Sequence, residues 1–297
     1  MERKFLFLLN PIAGNSNRSV IKKTIQKFIK DHKLTCEIHS TNPKGDYSAM
    51  RRKIVEENYT DVIVAGGDGT ISSVVNDLRD TGVRFGLLPC GSGNGLALAA
   101  HIPKNTDRAL QLISNGKARF TDAFLINNQF SCMLSGLGFD AQVAHEFAKQ
   151  NKRGLITYIR QTFKHFISAP NYKFEIHSDD QKIETDAFFI SIANSNQFGN
   201  QFTIAPKASL HDGLLDIVVV KKMNKLQILI AVLQQIRNGD VNEKIFNKNG
   251  ILYFQTRSLR IKNPQNAPLH IDGDPAATSG EFTIRVIPSA FLLIKPD

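Results

Sequence analysis

The first 120 or so residues alternate short apolar runs with helical patterns, and this alternation constrains the fold more than any other feature of the sequence. Residues 5–9 form a continuous apolar run of the kind found in strands that are buried on both faces. Residues 61–65 and 85–88 are further runs of this kind, and the former is rich in β-branched side chains. Strands that alternate with helices predict a parallel sheet covered by helices on both faces. We therefore expect an α/β domain in this part of the chain.

The other elements of this half fit the same order. The sequence predicts one more strand at residues 36–39, and helices at residues 19–29, 47–57, 71–78 and 96–100.

From about residue 122 the pattern changes to strands. They are predicted at residues 123–126, 129–135, 172–177, 183–193, 214–220, 252–254, 259–261 and 282–287. Helical patterns remain at residues 141–147, 155–167 and 225–236. This half is expected to be mostly antiparallel, as a β-sandwich. The chain of 297 residues thus divides into an α/β domain, residues 1–121, and a β-rich domain, residues 122–297.

The charge balance narrows the class of partner. Lys and Arg number 37 and Asp and Glu number 27, so the formal net charge is +10. Such a field favours an anionic partner: nucleic acid, an acidic membrane surface or a phosphorylated substrate. The chain has no Trp and no basic stretch interleaved with aromatic residues. We therefore expect no nucleic-acid partner.

Three cysteines, Cys36, Cys90 and Cys132, lie far apart and form no CxxC pair. Neither a zinc cluster nor a disulfide framework is expected, and this usage is typical of a reducing compartment. The longest apolar runs are far shorter than the roughly 20 residues that a membrane-spanning helix needs. We expect a cytoplasmic protein, at most peripheral to the inner face of the membrane.

A glycine-rich turn, Gly66-Gly67-Asp68-Gly69-Thr70, lies directly between the run at 61–65 and a helical pattern. Such a turn lets backbone N–H groups approach phosphate oxygens, and the helix N-terminus adds a favourable dipole. The carboxylate of Asp68 would repel phosphates, so its presence predicts a cation there, most simply Mg²⁺ bound with a nucleotide. The alternative is a tight structural turn in which Asp68 caps the next helix.

Two more loops follow predicted strands in the same way, at residues 10–16 and 89–95. Each alone is ordinary turn chemistry. In an open parallel sheet, however, loops at the carboxyl ends of the strands converge on one crevice, where ligands bind. The three loops together predict a phosphate site.

These loops carry a family resemblance. The segments NPIAG, GGDGT and PCGSGNGLA, in this order and spacing, resemble the diacylglycerol kinase catalytic superfamily, which includes bacterial lipid kinases and sphingosine and ceramide kinases. HDGLLDIVVV and LHIDGDP are similar to the second-domain signatures of that family, so the resemblance covers nearly the whole chain. It implies a Rossmann-like first domain, like that of NAD kinases and phosphofructokinases. It also implies that the final dozen residues return to the first domain.

The resemblance implies roles for particular residues. Asp272 matches the catalytic carboxylate that accepts the proton of a lipid hydroxyl, and Asp68 matches the position that holds the nucleotide-associated Mg²⁺. Ser209, Asp212 and Leu214 match a Mg²⁺ site of the bacterial members. The positions that match ATP contacts are Asn10, Pro11, Ile12, Ala13, Gly14, Thr41, Gly66, Gly67, Asp68, Gly69, Thr70, Ile71, Ser72 and Ser92.

Local sequence leaves alternatives open at the second-domain positions. Asp272 and Asp274 flank Gly273, and Asp-Gly is a common hairpin signal. Many family members have Glu where this chain has Asp274, so the role of that shorter side chain is open. His211-Asp212-Gly213 fits a turn into a strand as well as a metal site.

The implied function is an ATP- and Mg²⁺-dependent kinase that phosphorylates a lipid hydroxyl, of diacylglycerol or a related lipid, at a membrane surface. The third loop departs from the GTxND pattern of bacterial members, because Ser92 replaces Thr, and it is closer to the GSGN loop of sphingosine and ceramide kinases. A sphingoid-base or ceramide kinase is therefore an alternative. A kinase of a soluble acceptor such as NAD and a non-catalytic lipid or nucleotide sensor are two more.

Basic residues flank two of the apolar helical patterns and could dock the protein on an anionic bilayer, at about 1 kcal/mol each. They are Lys149, Lys152, Arg153, Arg160 and Lys164, and then Lys221, Lys222 and Lys225. Two solvated helix faces explain the same pattern. A homodimer is left open.

Overall fold

A computed structural model describes residues 3–12, 18–149, 169–178, 181–197, 204–221 and 250–296. The chain forms two compact units. Unit 1 comprises Met1–Ala123 and Pro288–Asp297, and unit 2 comprises Phe124–Ile287. The helices expected at residues 155–167 and 225–236 lie outside the described residues.

Unit 1 alternates strands and helices. Its elements are β1 (Lys4–Leu9), α1 (Arg18–Asp31), β2 (Thr35–Ser40), α2 (Ser48–Glu56), β3 (Asp61–Gly66), α3 (Asp68–Leu78), a 3₁₀ turn (Arg79–Thr81), β4 (Arg84–Pro89), α4 (Gly95–Ala99) and α5 (Thr106–Asn115). A further strand, β5 (Lys117–Ile126), begins in this unit.

The sheet of unit 1 is parallel, in the strand order β4-β3-β1-β2. Its central strands, β1 and β3, are apolar after their first residue, as expected for strands covered on both faces. Phe5 and Phe7 of β1 pack in one cluster with Ile63 of β3, together with Leu110 and Ile113 of α5. The outermost strand, β2, is half-exposed and more polar. The expected parallel α/β fold is confirmed.

Unit 2 is built mainly from strands. Its elements are β6 (Gln129–Ser131), β7 (Leu134–Gly138), α6 (Phe139–Ala148), β8 (Tyr172–Ser178), β9 (Gln181–Ala193), β10 (Leu215–Lys221), β11 (Ile251–Thr256), β12 (Ser258–Lys262), β13 (Leu269–Ile271), β14 (Asp274–Ala276) and the first part of β15 (Glu281–Lys295).

The strand pairs of unit 2 are antiparallel. Strands run in the order β14-β13-β7-β9-β8-β12-β15, and β10 and β11 continue from β9. One face is apolar: Leu137, Ile190 and Leu269 lie side by side on β7, β9 and β13 and share a core with Ile217 of β10. The second domain is confirmed to be the expected antiparallel β-sandwich.

Three predicted boundaries were wrong for physical reasons. The strand expected at residues 129–135 is interrupted after Ser131, because the backbone N–H groups of Cys132 and Met133 turn toward a carboxylate. α3 begins at Asp68, so three of the five residues of the glycine-rich turn are already helix. The strand expected at 282–287 continues to Lys295, where Leu292 and Leu293 pair in parallel with β4 of unit 1.

Helix α5 was not predicted, although Asn105 caps it by accepting the Arg108 N–H at 3.0 Å.

Candidate active site

The first two loops of unit 1 are tied together by side chains. Asn10 follows β1, and its Nδ2 donates to the Thr70 Oγ1 of α3 at 2.6 Å. Its Oδ1 accepts the Ile12 N–H at 2.8 Å and so shapes the start of its own loop. Thr41 follows β2 at the same edge of the sheet, and its N–H donates to the Leu9 carbonyl at 3.0 Å. The carboxyl ends of β1, β2 and β3 therefore bring these three residues to one edge of the sheet.

The second and third loops touch through glycines. A Cβ atom on Gly91 would lie 2.6 Å from the Cα of Gly67. The two backbones can therefore approach this closely only because position 91 has no side chain. Gly67 precedes the first residue of α3. Because the first N–H groups of a helix have no intrahelical partner, this end presents donors to a bound anion.

Asp68 links the same two loops. Its carboxylate accepts the N–H of Gly95 at 3.0 Å and that of Leu96 at 3.3 Å, at the start of α4. Asp68 therefore caps α4, whereas the structural alternative from the sequence was a cap on the helix that directly follows its own turn. A carboxylate has about four acceptor sites, so this role is compatible with binding a cation as well.

The third loop is closed by Asn94, which is 5% exposed. Its Oδ1 accepts the Gly91 N–H at 2.8 Å, and its Nδ2 donates to the Gly91 carbonyl at 2.7 Å. Asn94 itself takes a left-handed backbone conformation, with φ of 54°. These two bonds fix the loop and leave Ser92 exposed at its tip.

The other predicted nucleotide contacts differ in how they are placed. Pro11 and Ile12 are exposed, whereas Ile71 and Ser72, which belong to α3, have buried side chains. The Ile71 N–H donates to the Gly67 carbonyl at 3.0 Å, so it belongs to the helix. Ala13 and Gly14 lie outside the described residues.

The candidate catalytic carboxylate lies in unit 2, in the turn between β13 and β14. Asp272 and Gly273 both adopt left-handed conformations, with φ of 49° and 85°. Two successive residues with positive φ are typical of the tight turns of β-hairpins. Gly adopts left-handed backbone freely and Asp tolerates it better than most residues, so the Asp-Gly sequence suits this turn.

Five donors hold the Asp272 carboxylate, which is 6% exposed. Its Oδ1 accepts the Ser131 hydroxyl at 2.6 Å and the N–H groups of Met133 and Leu134 at 3.0 and 3.1 Å. Its Oδ2 accepts the Cys132 N–H at 3.2 Å. Oδ2 also accepts the Cys132 thiol at 3.9 Å. Among the described residues, Oδ1 thus accepts three donors, whereas Oδ2 accepts one backbone donor and one weak thiol donor, which leaves Oδ2 with more room for a substrate hydroxyl.

Asp274 is the other carboxylate of this turn. It begins β14 and is exposed, in contrast to Asp272. The turn therefore has one buried carboxylate, Asp272, and one exposed carboxylate, Asp274, two residues apart.

The Ser209–Leu214 loop precedes β10. The Asp212 carboxylate accepts the Leu214 N–H at 3.0 Å, and the Ser209 Oγ accepts the His211 N–H at 3.3 Å. Behind the loop lies Asp216, a buried residue whose pKa is raised by burial and, to a lesser extent, by the charge of Asp212.

The Ser209–Leu214 loop offers donor atoms that are compatible with Mg²⁺. A hydroxyl, a carboxylate and backbone carbonyls are all oxygen donors, the kind that Mg²⁺ prefers. A cation here would also offset the repulsion between Asp212 and Asp216. In the described parts of the chain, no three His, Cys, Asp or Glu side chains are grouped as a metal site. The donor chemistry fits Mg²⁺, which the Ser209 hydroxyl, the Asp212 carboxylate and backbone carbonyls would hold.

Sequence reasoning missed the residues that surround Asp272. Ser131 and the backbone of residues 132–134 lie about 140 positions away in the chain. No local pattern marks them, because they meet Asp272 only through the pairing of β7 with β13. Asn94 was in view within the GSGN segment, and its position before a helical pattern is the signal that could have identified it.

Two points bear on membrane contact. No helix among the described residues has the length and apolar content needed to cross a bilayer. Of the basic residues expected to dock, Lys149 pairs with Glu146 at 2.6 Å and remains 67% exposed. Lys221 ends β10. The others, Lys152, Arg153, Arg160, Lys164, Lys222 and Lys225, lie outside the described residues.

Known proteins resemble this chain over nearly its whole length. The diacylglycerol kinase of Bacillus subtilis (strain 168) is 26% identical over 285 residues, which cover 93% of this chain and 91% of that protein. A protein of Enterobacter sp. (strain 638) named "Probable lipid kinase YegS-like" is 28% identical over 302 residues, which cover 98% and 96%.

Solved structures share the fold. A diacylglycerol kinase structure from Bacillus anthracis str. Sterne has a TM-score of 0.76 at 20% identity, with 99% of this chain and 97% of that chain covered. A second solved chain from the same organism has a TM-score of 0.80 at 21% identity over the same shares of the two chains.

Family models account for both halves of the chain. Residues 4–126 match the diacylglycerol kinase catalytic domain. Residues 134–295 match the YegS C-terminal NAD kinase beta sandwich-like domain. The loops at the carboxyl ends of β1, β3 and β4 fall within the first match, and the Asp272 turn falls within the second. The chain therefore belongs to the diacylglycerol kinase family of lipid kinases, in the branch whose second domain is of the YegS type.

Proposed function

We propose that this protein transfers the γ-phosphate of ATP to the hydroxyl of a lipid, diacylglycerol or a related acceptor. One observation carries the ATP part: the Asn10–Thr70 and Asp68–Gly95 hydrogen bonds fasten three strand-end loops to one another. Such an assembly presents backbone donors and a helix N-terminus to a chain of phosphates. Family membership supports the lipid part.

In the proposed reaction, unit 1 holds the nucleotide. Asn10, Thr41 and the Gly66–Thr70 turn lie along the phosphates, and Ser92 offers its exposed hydroxyl from the third loop. The predicted contacts of Pro11, Ile12, Ala13, Gly14, Ile71 and Ser72 belong to the same proposal, with Ile71 and Ser72 acting through the helix they help to pack. Asp68 would hold the Mg²⁺ of the nucleotide, and Ser209, Asp212 and Leu214 would hold a second Mg²⁺. When bound, Mg²⁺ neutralises charge on the phosphates.

Asp272 is the proposed proton acceptor. Its Oδ2 would orient the lipid hydroxyl and take its proton late, because a loose transition state for phosphoryl transfer needs little early deprotonation. The donors on Oδ1 hold the carboxylate in one orientation, and a fixed orientation is what catalysis by positioning requires. The exposure of Asp274 makes that residue the second candidate for the same role.

A sphingoid base or ceramide is the second candidate acceptor. The observation that favours it is the third loop, where residues 91–94 form the GSGN sequence and Asn94 makes two hydrogen bonds with Gly91. We further propose that the protein is cytoplasmic and acts at a membrane surface, where a water-insoluble acceptor is found. The excess of basic residues supports attraction to anionic lipids.

The experiment supplies radiolabelled ATP and Mg²⁺ with vesicles of diacylglycerol, monoacylglycerol, phosphatidylglycerol, a sphingoid base or ceramide, and counts label in the organic phase. We expect label in the glycerolipid arms. Label in the sphingoid or ceramide arm alone would select the second candidate. Label only on a soluble acceptor such as NAD, or none at all, would overturn the proposal.

A further inference from the structure

His270 occupies the middle of β13, two residues before Asp272, and is completely buried. It pairs with Gly136 of β7, which in turn pairs with Ser191 of β9. The candidate catalytic carboxylate lies in the turn that directly follows β13, so His270 is two residues from Asp272 in the chain.

Two hydrogen bonds define the state of the His270 ring. The Gly273 N–H donates to Nδ1 at 3.3 Å, and Nε2 lies 3.3 Å from Oδ2 of Asp140. Because Nδ1 accepts, the proton of a neutral ring resides on Nε2 and is donated to Asp140. The other Asp140 oxygen, Oδ1, accepts the Ala141 N–H at 2.7 Å, at the start of α6. A continuous set of contacts thus runs from α6 to the backbone of the Asp272–Gly273 turn.

Gly136 makes room for this arrangement. A Cβ atom at this position would lie 1.8 Å from Oδ2 of Asp140 and 2.6 Å from Nε2 of His270. The carboxylate and the imidazole therefore meet in the space that a side chain on β7 would fill. The lack of a side chain at Gly136 is a second observation, besides the hydrogen bonds, that supports the contact between Asp140 and His270.

The turn is held from two sides. The donors at Ser131 and residues 132–134 hold the Asp272 side chain, while His270 holds the backbone of Gly273. Both turn residues have positive φ. Losing either hold would let the turn relax, and a displacement of about 1 Å at a reacting group can lower the rate about 100-fold.

We propose that His270, oriented by Asp140, is a positioning residue that fixes the carboxylates of the Asp272–Asp274 turn for phosphoryl transfer. This inference rests on the proposed function. The imidazole contacts the turn through Gly273, so it acts on the reaction by holding that backbone in the reactive geometry.

Two substitutions separate the two bonds of the ring. In His270→Asn the amide oxygen can take the place of Nδ1 and accept the Gly273 N–H, but it cannot reach Asp140. In His270→Gln the longer amide can reach Asp140 but offers nothing at the Nδ1 position. The matched control is His145→Asn, which removes the 2.8 Å contact between His145 Nε2 and the Leu269 carbonyl, one residue before His270.

The readouts are kcat and KM for lipid phosphorylation and the thermal unfolding temperature. We expect His270→Gln to lower kcat about tenfold to 100-fold, with KM for ATP within about twofold of wild type. His270→Asn should keep kcat within about threefold, since one hydrogen bond to the turn is retained. All three variants should unfold at lower temperature, and His145→Asn should keep the wild-type kcat.

Equal kcat values in the two His270 variants, or losses of stability alone, would overturn the inference. A failure of the proposed function is distinguishable, because wild-type protein would then label no lipid. Histidine ¹⁵N spectroscopy on wild-type protein gives a test that needs no variant: a buried ring protonated on Nε2 is expected, and a buried ring protonated on Nδ1 would overturn the inference.

Discussion

The Nδ2 of Asn10 donates a 2.6 Å hydrogen bond to the Oγ1 of Thr70, although 60 residues separate the two in the chain. The bond joins the loop after β1 to the first turn of α3. Two loops that are unremarkable as separate turns become one surface through this contact. The geometry of the proposed phosphate site therefore depends on a side-chain pair whose members lie on different elements.

Replacing Asn10 with Ala is expected to weaken ATP binding about fivefold, which corresponds to about 1 kcal/mol for one hydrogen bond. Thr70→Val removes the acceptor and keeps the shape, so it should give a loss of similar size. Titration calorimetry measures both dissociation constants. Because the two residues share one bond, the double variant should lose little more than either single variant.

Thr70→Ser is the control for this pair, since it retains the hydroxyl and should keep near-normal affinity. Fully additive losses in the double variant would mean that the Asn10–Thr70 bond does not contribute to the site.

Asp68→Ala is expected to destabilise unit 1 by about 1 kcal/mol, because the N–H groups of Gly95 and Leu96 lose their acceptor at the start of α4. Asp68→Asn keeps one acceptor oxygen and should lose less stability. Urea unfolding gives both values. If Asp68 also holds the cation of the nucleotide, Asp68→Asn should still weaken the dependence of ATP binding on Mg²⁺.

A normal Mg²⁺ dependence in Asp68→Asn would restrict Asp68 to its capping role. Unchanged stability in Asp68→Ala would contradict the capping contact itself.

Gly136→Ala is expected to destabilise unit 2 by about 1–3 kcal/mol or more, because its Cβ would overlap the Asp140 carboxylate. Gly280→Ala is the matched control. A Cβ at Gly280 meets no described atom within 4 Å, and this glycine is not among those with positive φ. Denaturant unfolding of both variants should therefore show a large loss for one and almost none for the other. Equal stabilities would show that β7 and α6 are not packed as described.

Cys90 is expected to react slowly with iodoacetamide. Burial raises the pKa of its thiol from 9.0 to about 11. At pH 8 the fraction of Cys90 in the reactive thiolate form is then about 100-fold lower than for an ordinary thiol. The labelling rate should increase as the pH approaches 11. Peptide mapping after timed labelling measures this rate, with urea-unfolded protein as the control. Rates that are equal in folded and unfolded protein would contradict the packing of the third loop.

The sequence predicted the fold of unit 1 well because its signals are local. β1, β3 and β4 are apolar runs, and the turn Gly66–Thr70 directly follows one of them, so strand, loop and helix can be recognised within a few residues. The strict order of a parallel sheet then brings successive loops to one edge. The Asn10–Thr70 bond itself could not be predicted, since two side chains at one edge need not touch.

The Asp272 site shows where local reasoning stops. The turn Asp272–Gly273 is recognisable as a hairpin, but its donors lie at residues 131–134 and reach it only because β13 pairs with β7. Strand register over such a separation is set by packing on the whole sheet face, which no short pattern encodes. The same reason explains why the strand expected at 129–135 is broken: these residues turn their N–H groups to the carboxylate.

The most direct test of lipid phosphorylation by this turn compares Asp272→Asn and Asp274→Asn with wild type, using the acceptor lipid that wild type labels best. The measurement is kcat for label transfer from ATP, with ATP affinity and the unfolding temperature followed in parallel. We predict that wild type labels lipid and that Asp272→Asn retains less than about 1% of kcat, with ATP affinity within about twofold of wild type. A near-normal kcat in Asp272→Asn would contradict the assignment to Asp272, and with a loss in Asp274→Asn it would move the proton acceptor to Asp274. Near-normal kcat in both variants would contradict the account as a whole.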